Sequence, residues 1–181
     1  MRAAPDPRPG ALDRAAVQAE MEQARLDFHR LLAQASPADL RRPSAGTRWT
    51  NQQMPFHMLF GFLVVRTLLP LARLFGHLPR TASRAFGGLR DSARTPFHLI
   101  NYLGSCAGAR IIPPAPMAGV VDRVTAALQR RLQQEPDTTL GRGMHYPTTW
   151  DPLFTRYMTL ADLYRYPTRH YRHHRQQLTL P

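Results

Sequence analysis

Apolar residues recur along most of this chain with the spacing of a helix and not of a strand. Between Leu12 and Ala35 the positions Val17, Met21, Ala24, Phe28 and Leu31 step by four, three, four and three, which sets them on one side of a helix at about 100° per residue. Ser36 and Pro37 end that pattern. Residues 37–49, PADLRRPSAGTRW, form a connection rich in turn-formers that finishes on a tryptophan. A second helix is expected to start at Thr50, which pairs with Gln53 as a capping box. His57, Gly61, Val64, Leu68, Leu71 and Phe75 then share the inward face, with Arg66 and Arg73 nearly opposite. Pro55 falls in the tolerant first turns, whereas Pro70 is expected to kink or end the helix.

Residues 76–95 are basic and glycine-containing and read as an exposed connection. A third helix is expected from Pro96 to Ala109, proline being favourable at a first helical position. After IIPPAP a clearer helix carries Met117, Val120, Val121, Val124, Leu128, Arg131 and Leu132 at helical spacing and ends near Pro136. Residues 141–154 read as an ordered loop, whose two glycines lack the lysine and strand of a phosphate-binding loop. The last helix opens on Thr159 and Asp162. Its projection puts Leu160, Leu163, Pro167, His170, Tyr171, His174 and Leu178 on one side and Arg165, Arg169 and Arg172 on the other. No period-two pattern and no internal repeat appears. The expected fold is all-α: a four-helix bundle with irregular connections, one domain over residues 11–181 behind a flexible arm at 1–10.

Charge changes this picture little. The net charge of +12 would attract phosphates, anionic lipid or acidic small molecules. All 24 basic residues are arginine, however, which marks a preference acting on the whole chain, and no DNA-binding motif accompanies them. Nucleic acid is therefore not the expected partner. The single cysteine, Cys106, excludes an internal disulfide and a cysteine-ligated zinc. With no apolar core in MRAAPDPRPG to act as a secretion signal, the expected location is cytoplasmic. Residues 54–75 could mimic a membrane span, but His57, Arg66, Pro70 and Arg73 interrupt it. A charge near the centre of a span costs about 2.5–3.5 kcal/mol, so the segment reads as a core helix and no transmembrane segment is expected.

The candidate chemistry lies in RHYRHHRQQL, residues 169–178. His170 and His174 are one turn apart inside the apolar stripe, while His173 projects about 120° from its centre, toward solvent. Imidazoles at i and i+4 can hold one ion between them. His57 is the candidate third ligand, being the only other histidine inside an assigned apolar stripe, with Gly61 one turn on leaving room. Burying three imidazoles without partners is costly. Three neutral imidazoles suit zinc, nickel, iron or copper and leave a coordination position open. His29, His77, His98 and His145 have no partner at ligand spacing and read as ordinary; Trp49, Trp150 and Cys106 read as core.

Taken together these residues resemble the DinB-like superfamily of bacterial four-helix-bundle metalloproteins. LLAQASPADL is similar to its first helix and turn, RWTNQQMPFH to its tryptophan, cap and helix-2 histidine, and MTLADLYRYPTRHYRHHRQQL to its final helix; residues 76–116 match nothing recognisable. The resemblance implies that His57, His170 and His174 coordinate one divalent ion, zinc, nickel or iron. Pro55 and Pro167 depart from the pattern and bear on how the rings are aimed. Members of the superfamily include thiol-dependent S-transferases and isomerases beside many without an assigned activity, so the resemblance implies a metal site more strongly than a reaction; the first expectation for function is a metal-dependent enzyme activating a thiol or water against a small electrophile, as an S-transferase or hydrolase. A low-molecular-weight thiol is then the expected cosubstrate. Asp151, Tyr164 and Tyr171 are candidates for handling protons or for hydrogen-bonding the ligands. Two other readings stand beside this one: a non-catalytic metal-binding stress protein, whose ion staples two helices, and a basic protein binding nucleic acid or a membrane surface. Bundles of this size often pair through a helix face, so a homodimer is a further expectation, although no stripe is clean enough to choose the face.

Overall fold

The first helix forms where its apolar positions predict. Asp13 caps it by accepting from the Ala16 N–H at 2.9 Å, and Val17, Met21, Ala24, Phe28 and Leu31 are all buried. In this computed structural model, which describes residues 12–91 and 93–180, it is α1 (Arg14–Gln34). The arm expected at 1–10 lies outside the described residues. There follow α2 (Pro37–Arg41), α3 (Gln53–Gly76), α4 (Arg80–Asp91), α5 (Arg94–Ile111), α6 (Pro114–Gln134), α7 (Asp137–Leu140), β1 (Gly143–His145), β2 (Tyr157–Thr159) and α8 (Leu160–Arg175).

The architecture is all-α and mostly helical. Helices α1, α6, α3 and α8 pack in a ring, each against the next, and α5 lies along the outside of α3. Met117, Val121, Val124, Leu128 and Leu132 of α6 fill the space facing α1. Burying side chains of this kind is worth about 1.5–3 kcal/mol each. The fold thus departs from a plain four-helix bundle: around the four long helices it adds α4, α5, two short helices and a hairpin.

Five sequence expectations need correction. Helix α3 starts at Gln53 because Thr50 is engaged in a bridge with Pro43; half of the capping box survives, the Thr50 N–H donating to Gln53 Oε1 at 3.0 Å. The same helix runs straight through Pro70 to Gly76. Proline deprives the Arg66 carbonyl of its N–H partner, and Arg131 of α6 donates to that carbonyl instead, at 3.1 Å. The deepest face of α3 is Met54, Met58, Phe62, Val65, Leu69 and Ala72, whereas Val64, Leu68, Leu71 and Phe75 are half-buried on its flank. A helix apolar nearly all round carries too little contrast to fix its rotation.

The connection expected at 76–95 contains α4, which packs on β1, with Phe86 stacked on Phe75 at 5.0 Å between ring centres. Strands β1 and β2 pair antiparallel, Gly143 opposite Thr159 and His145 opposite Tyr157. Three residues are too few for an alternating pattern to be read. Helix α3 is long and apolar enough by composition to cross a membrane; here it packs between α8, α5 and α6.

The last helix follows expectation closely. Thr159 and Asp162 form the reciprocal capping box, and all seven positions of the apolar stripe are buried. That aims two turns of α8 at the N-terminal turns of α3.

Candidate metal centre

His57 projects from the start of α3, and His170 and His174 from the end of α8. Their ring centres are separated by 4.9 Å (His57–His170), 4.5 Å (His57–His174) and 4.5 Å (His170–His174). One nitrogen from each lies within 4.8 Å of the others, and all three residues are buried. Among the described residues this is the one such group of three.

Hydrogen bonding sets two of the tautomers. Ser105 Oγ donates to the Asn101 carbonyl at 2.8 Å, so toward His57 it accepts, from Nδ1–H at 3.4 Å. His174 Nδ1–H donates to Gln177 Oε1 at 2.7 Å. Both Nε2 atoms are left as lone pairs, and they face each other at 3.1 Å. Two acceptors at that distance repel unless a cation or proton lies between them. Tetrahedral zinc with Zn–N bonds of 2.0–2.1 Å sets its ligand nitrogens roughly 3.3 Å apart, so the pair fits an ion. His170 Nδ1 is buried and has no hydrogen-bond partner.

Burial keeps the triad neutral. It lowers the His57 pKa from 6.5 to about 3, helped by the neighbouring His174. It pushes His170 well below the usual range, with His57 and His174 adding to the effect. His174 is lowered too, mainly by burial and against the opposing bond to Gln177. Neutral imidazoles need shed no proton to bind a metal.

Two glycines shape the centre. Gly61 stands where a Cβ would overlap His170 Nδ1, so the room it leaves serves His170 across the interface. Gly46, with φ at 68°, lets residues 43–50 turn back on themselves. That turn, closed by the Ser44 N–H bonded to the Trp49 carbonyl at 3.0 Å, lays Trp49 over His57 with ring centres 4.3 Å apart.

Of the other candidates, Asp151 joins the site. Its Oδ2 is 3.9 Å from His170 Nε2 and accepts from the Tyr166 hydroxyl at 2.8 Å, while Oδ1 accepts from the Leu153 N–H at 2.7 Å. Tyr164 and Tyr171 lie elsewhere. Tyr164 donates to the buried Glu135 at 3.0 Å, in a network with Arg73, and Tyr171 donates to Asp27 of α1 at 2.7 Å. His173 is half-buried and lines the cavity beside the triad, with its ring 4.8 Å from that of His174. His29 meets Asp122, His145 meets Ser83, His77 meets Arg142 and His98 meets the Thr149 carbonyl. None of these four joins the cluster.

Sequence reasoning missed Ser105, Gln177 and Tyr166. Gln177 lies three residues after His174 and Tyr166 four before His170, so helical spacing held a signal for both. Ser105 reaches His57 from another helix and carried none. Above the triad opens a cavity of about 240 Å³ with largely aromatic walls, including both tryptophans; these were expected simply in the core.

Three buried histidines held between two helices of a bundle, with their nitrogens converging beside a cavity, define a helical protein with a metal-binding site. A family model described as the DinB superfamily matches residues 20–178, and the chain belongs to that superfamily. No curated protein and no solved structure matches it.

Proposed function

We propose that His57, His170 and His174 hold one divalent ion, zinc, nickel or iron, and that the protein is an enzyme acting on a small electrophile, as an S-transferase with a low-molecular-weight thiol or as a hydrolase with water. The observation that carries this reading is the place of the triad: three neutral imidazoles beside an open cavity. Structural zinc sites close with four protein ligands, whereas catalytic ones keep a position free. A bound ion of this kind lowers the pKa of a thiol or water so that a nucleophile exists at neutral pH.

The chain's own residues do the rest. Ser105 and Gln177 fix two ligand rings by accepting hydrogen bonds from their Nδ1–H groups. Trp49 covers one face of His57, and aromatic side chains wall the space in which a substrate would lie. Asp151 Oδ2, steadied by Tyr166 and close to His170, stands where it can accept a proton from the nucleophile.

The test pairs metal content with turnover. Zinc-loaded protein is assayed with a panel of thiols against an activated aryl halide, and against ester substrates with water. His57→Ala is expected to lose both metal and turnover while its circular dichroism stays helical. If stripping the metal lowered only the melting temperature, and the loaded protein turned over neither substrate type, the site would be a staple between helices and the enzyme reading would fail.

A further inference from the structure

Helix α5 is built the wrong way round for a helix on the surface of a globular protein. Its inward side, which packs on α3, is small: Ser105, Gly108 and Ala109 are buried, and Gly108 stands where a Cβ would overlap the Phe56 ring. At about 100° per residue, Pro96, Leu99, Ile100, Leu103, Ala107 and Ile111 fall within about 60° of the line opposite Ser105. All six are exposed. Leu99, Ile100, Leu103 and Ile111 are 56%, 69%, 54% and 78% exposed, and they make up four of the eight large apolar side chains exposed among the described residues. Such side chains scattered singly are ordinary, whereas a contiguous stripe marks a surface that meets a partner or a bilayer.

Charge decides between the two. From Leu40 to Val121 the chain has ten arginines and one acidic residue, Asp91. Arg94 and Arg110 stand at the two ends of α5, and Arg48 lies beside it, over the Tyr102 ring at 4.5 Å. All three are exposed, and none enters an ion pair among the described residues. A second copy of the chain would bring the same arginines to the stripe and no carboxylate to meet them. Nucleic acid would satisfy the arginines and leave the leucine and isoleucine side chains without an apolar partner. An anionic bilayer suits both. Apolar side chains enter the boundary between headgroups and acyl chains, roughly 5–10 Å deep, while arginines meet the negative headgroups.

We propose that α5 is a membrane-docking face, which lays the protein reversibly on a bilayer containing anionic lipid. Leu99, Ile100, Leu103 and Ile111 enter the interface, and Arg48, Arg94 and Arg110 rest on the headgroups. The inward side of the same helix carries Phe97 and Asn101 to the cavity and Ser105 to His57, so docking holds the triad about one helix diameter, roughly 10–12 Å, from lipid. Docking itself needs neither the ion nor turnover.

The test is flotation of the purified full chain with unilamellar vesicles, of phosphatidylcholine alone or mixed with phosphatidylglycerol. Vesicles containing phosphatidylglycerol are expected to bind at least tenfold more tightly, and the preference should fade as salt shrinks the Debye length from about 10 Å at 0.1 M to about 3 Å at 1 M. Leu99→Gln, Ile100→Gln and Leu103→Gln combined should weaken binding at least tenfold with helicity unchanged, because these positions are exposed. Leu26→Gln, at an exposed leucine of α1, should leave binding as it is. Arg48→Gln with Arg110→Gln should weaken binding to the anionic vesicles about tenfold or more and leave phosphatidylcholine binding alone. Failure to float with the anionic vesicles overturns the proposal. So does flotation that the triple variant retains, since charge alone would then account for it, and so does random DNA duplex bound more tightly than either vesicle. A dimer in light scattering that the triple variant splits, with no flotation, overturns it as well: the stripe would then pair two copies.

Discussion

Replacing Gly61 by alanine separates the metal centre from the helix that carries it. A Cβ at this position would overlap His170 Nδ1 and sit 3.0 Å from both Cγ and Cε1 of the same ring. Restoring ordinary van der Waals separation moves the ring by roughly 1 Å. Metal–ligand distances tolerate about 0.2 Å, so His170 leaves the coordination set and two imidazoles remain. Losing a hydrogen-bond partner of a ligand costs about 10–100-fold in metal affinity; displacing the ligand itself should cost at least 100-fold. Alanine inside a helix is better than glycine by about 0.8–1.0 kcal/mol, and overpacking costs about 1–3 kcal/mol. The metal-free stability should therefore change by no more than about 2 kcal/mol. A chromophoric chelator in competition for zinc gives the affinity, and urea unfolding of the stripped protein gives the stability. Gly88→Ala in α4 is the control, because a Cβ there meets nothing within 4 Å; it should stabilise slightly and leave zinc binding alone. Zinc affinity for Gly61→Ala within twofold of wild type, in folded protein, would refute the argument that this glycine makes room for a ligand.

Other consequences follow from the same geometry. Gln177→Ala frees the His174 ring and should weaken zinc about 10–100-fold without lowering its stoichiometry at saturating metal, as chelator competition would reveal. The stripped protein should lose stability on acidification. Its folded His57 stays neutral down to about pH 3 while an unfolded histidine protonates near 6.5, so the unfolded state binds more protons between those values. Stability is then flat above pH 6.5 and falls by up to about 1.4 kcal/mol per unit below it for this residue; a urea midpoint unchanged between pH 7 and 4.5 would contradict the neutral, buried site. Glu135→Ala removes a buried carboxylate that receives Arg73, Tyr164 and Thr139. It should cost about 2–4 kcal/mol with metal affinity unchanged, which would confirm that Tyr164 serves the bundle and not the site.

What could be read from the sequence followed contrast. Helices α1, α6 and α8 have apolar stripes against charged backs, and their buried faces came out as the spacing predicted. Helix α3 is apolar nearly all round, so its rotation was misjudged, although His57 still fell beside α8. Helix α4 went unread because its inward face is small, Ser83 and Gly87 being buried there, and small residues carry little hydrophobic signal. Pro70 misled for another reason. Its effect depended on Arg131, 61 residues further on, and local rules hold no information about such a partner. The histidine triad was legible because two of its members share one helix turn. Ser105, which orients His57, and Tyr146, which lines the cavity, belong to elements whose neighbours are set only by the packed fold.

The central claim is that three histidines from two helices share one ion, and metal content tests it most directly. Wild-type protein and His170→Ala are purified side by side without added metal, then loaded with zinc, dialysed and measured by elemental analysis before and after loading. Close to one divalent ion per chain in the wild type, and little in the variant at equal helicity, is the predicted result. Equal metal in both, or none in the wild type even after loading, would contradict the account.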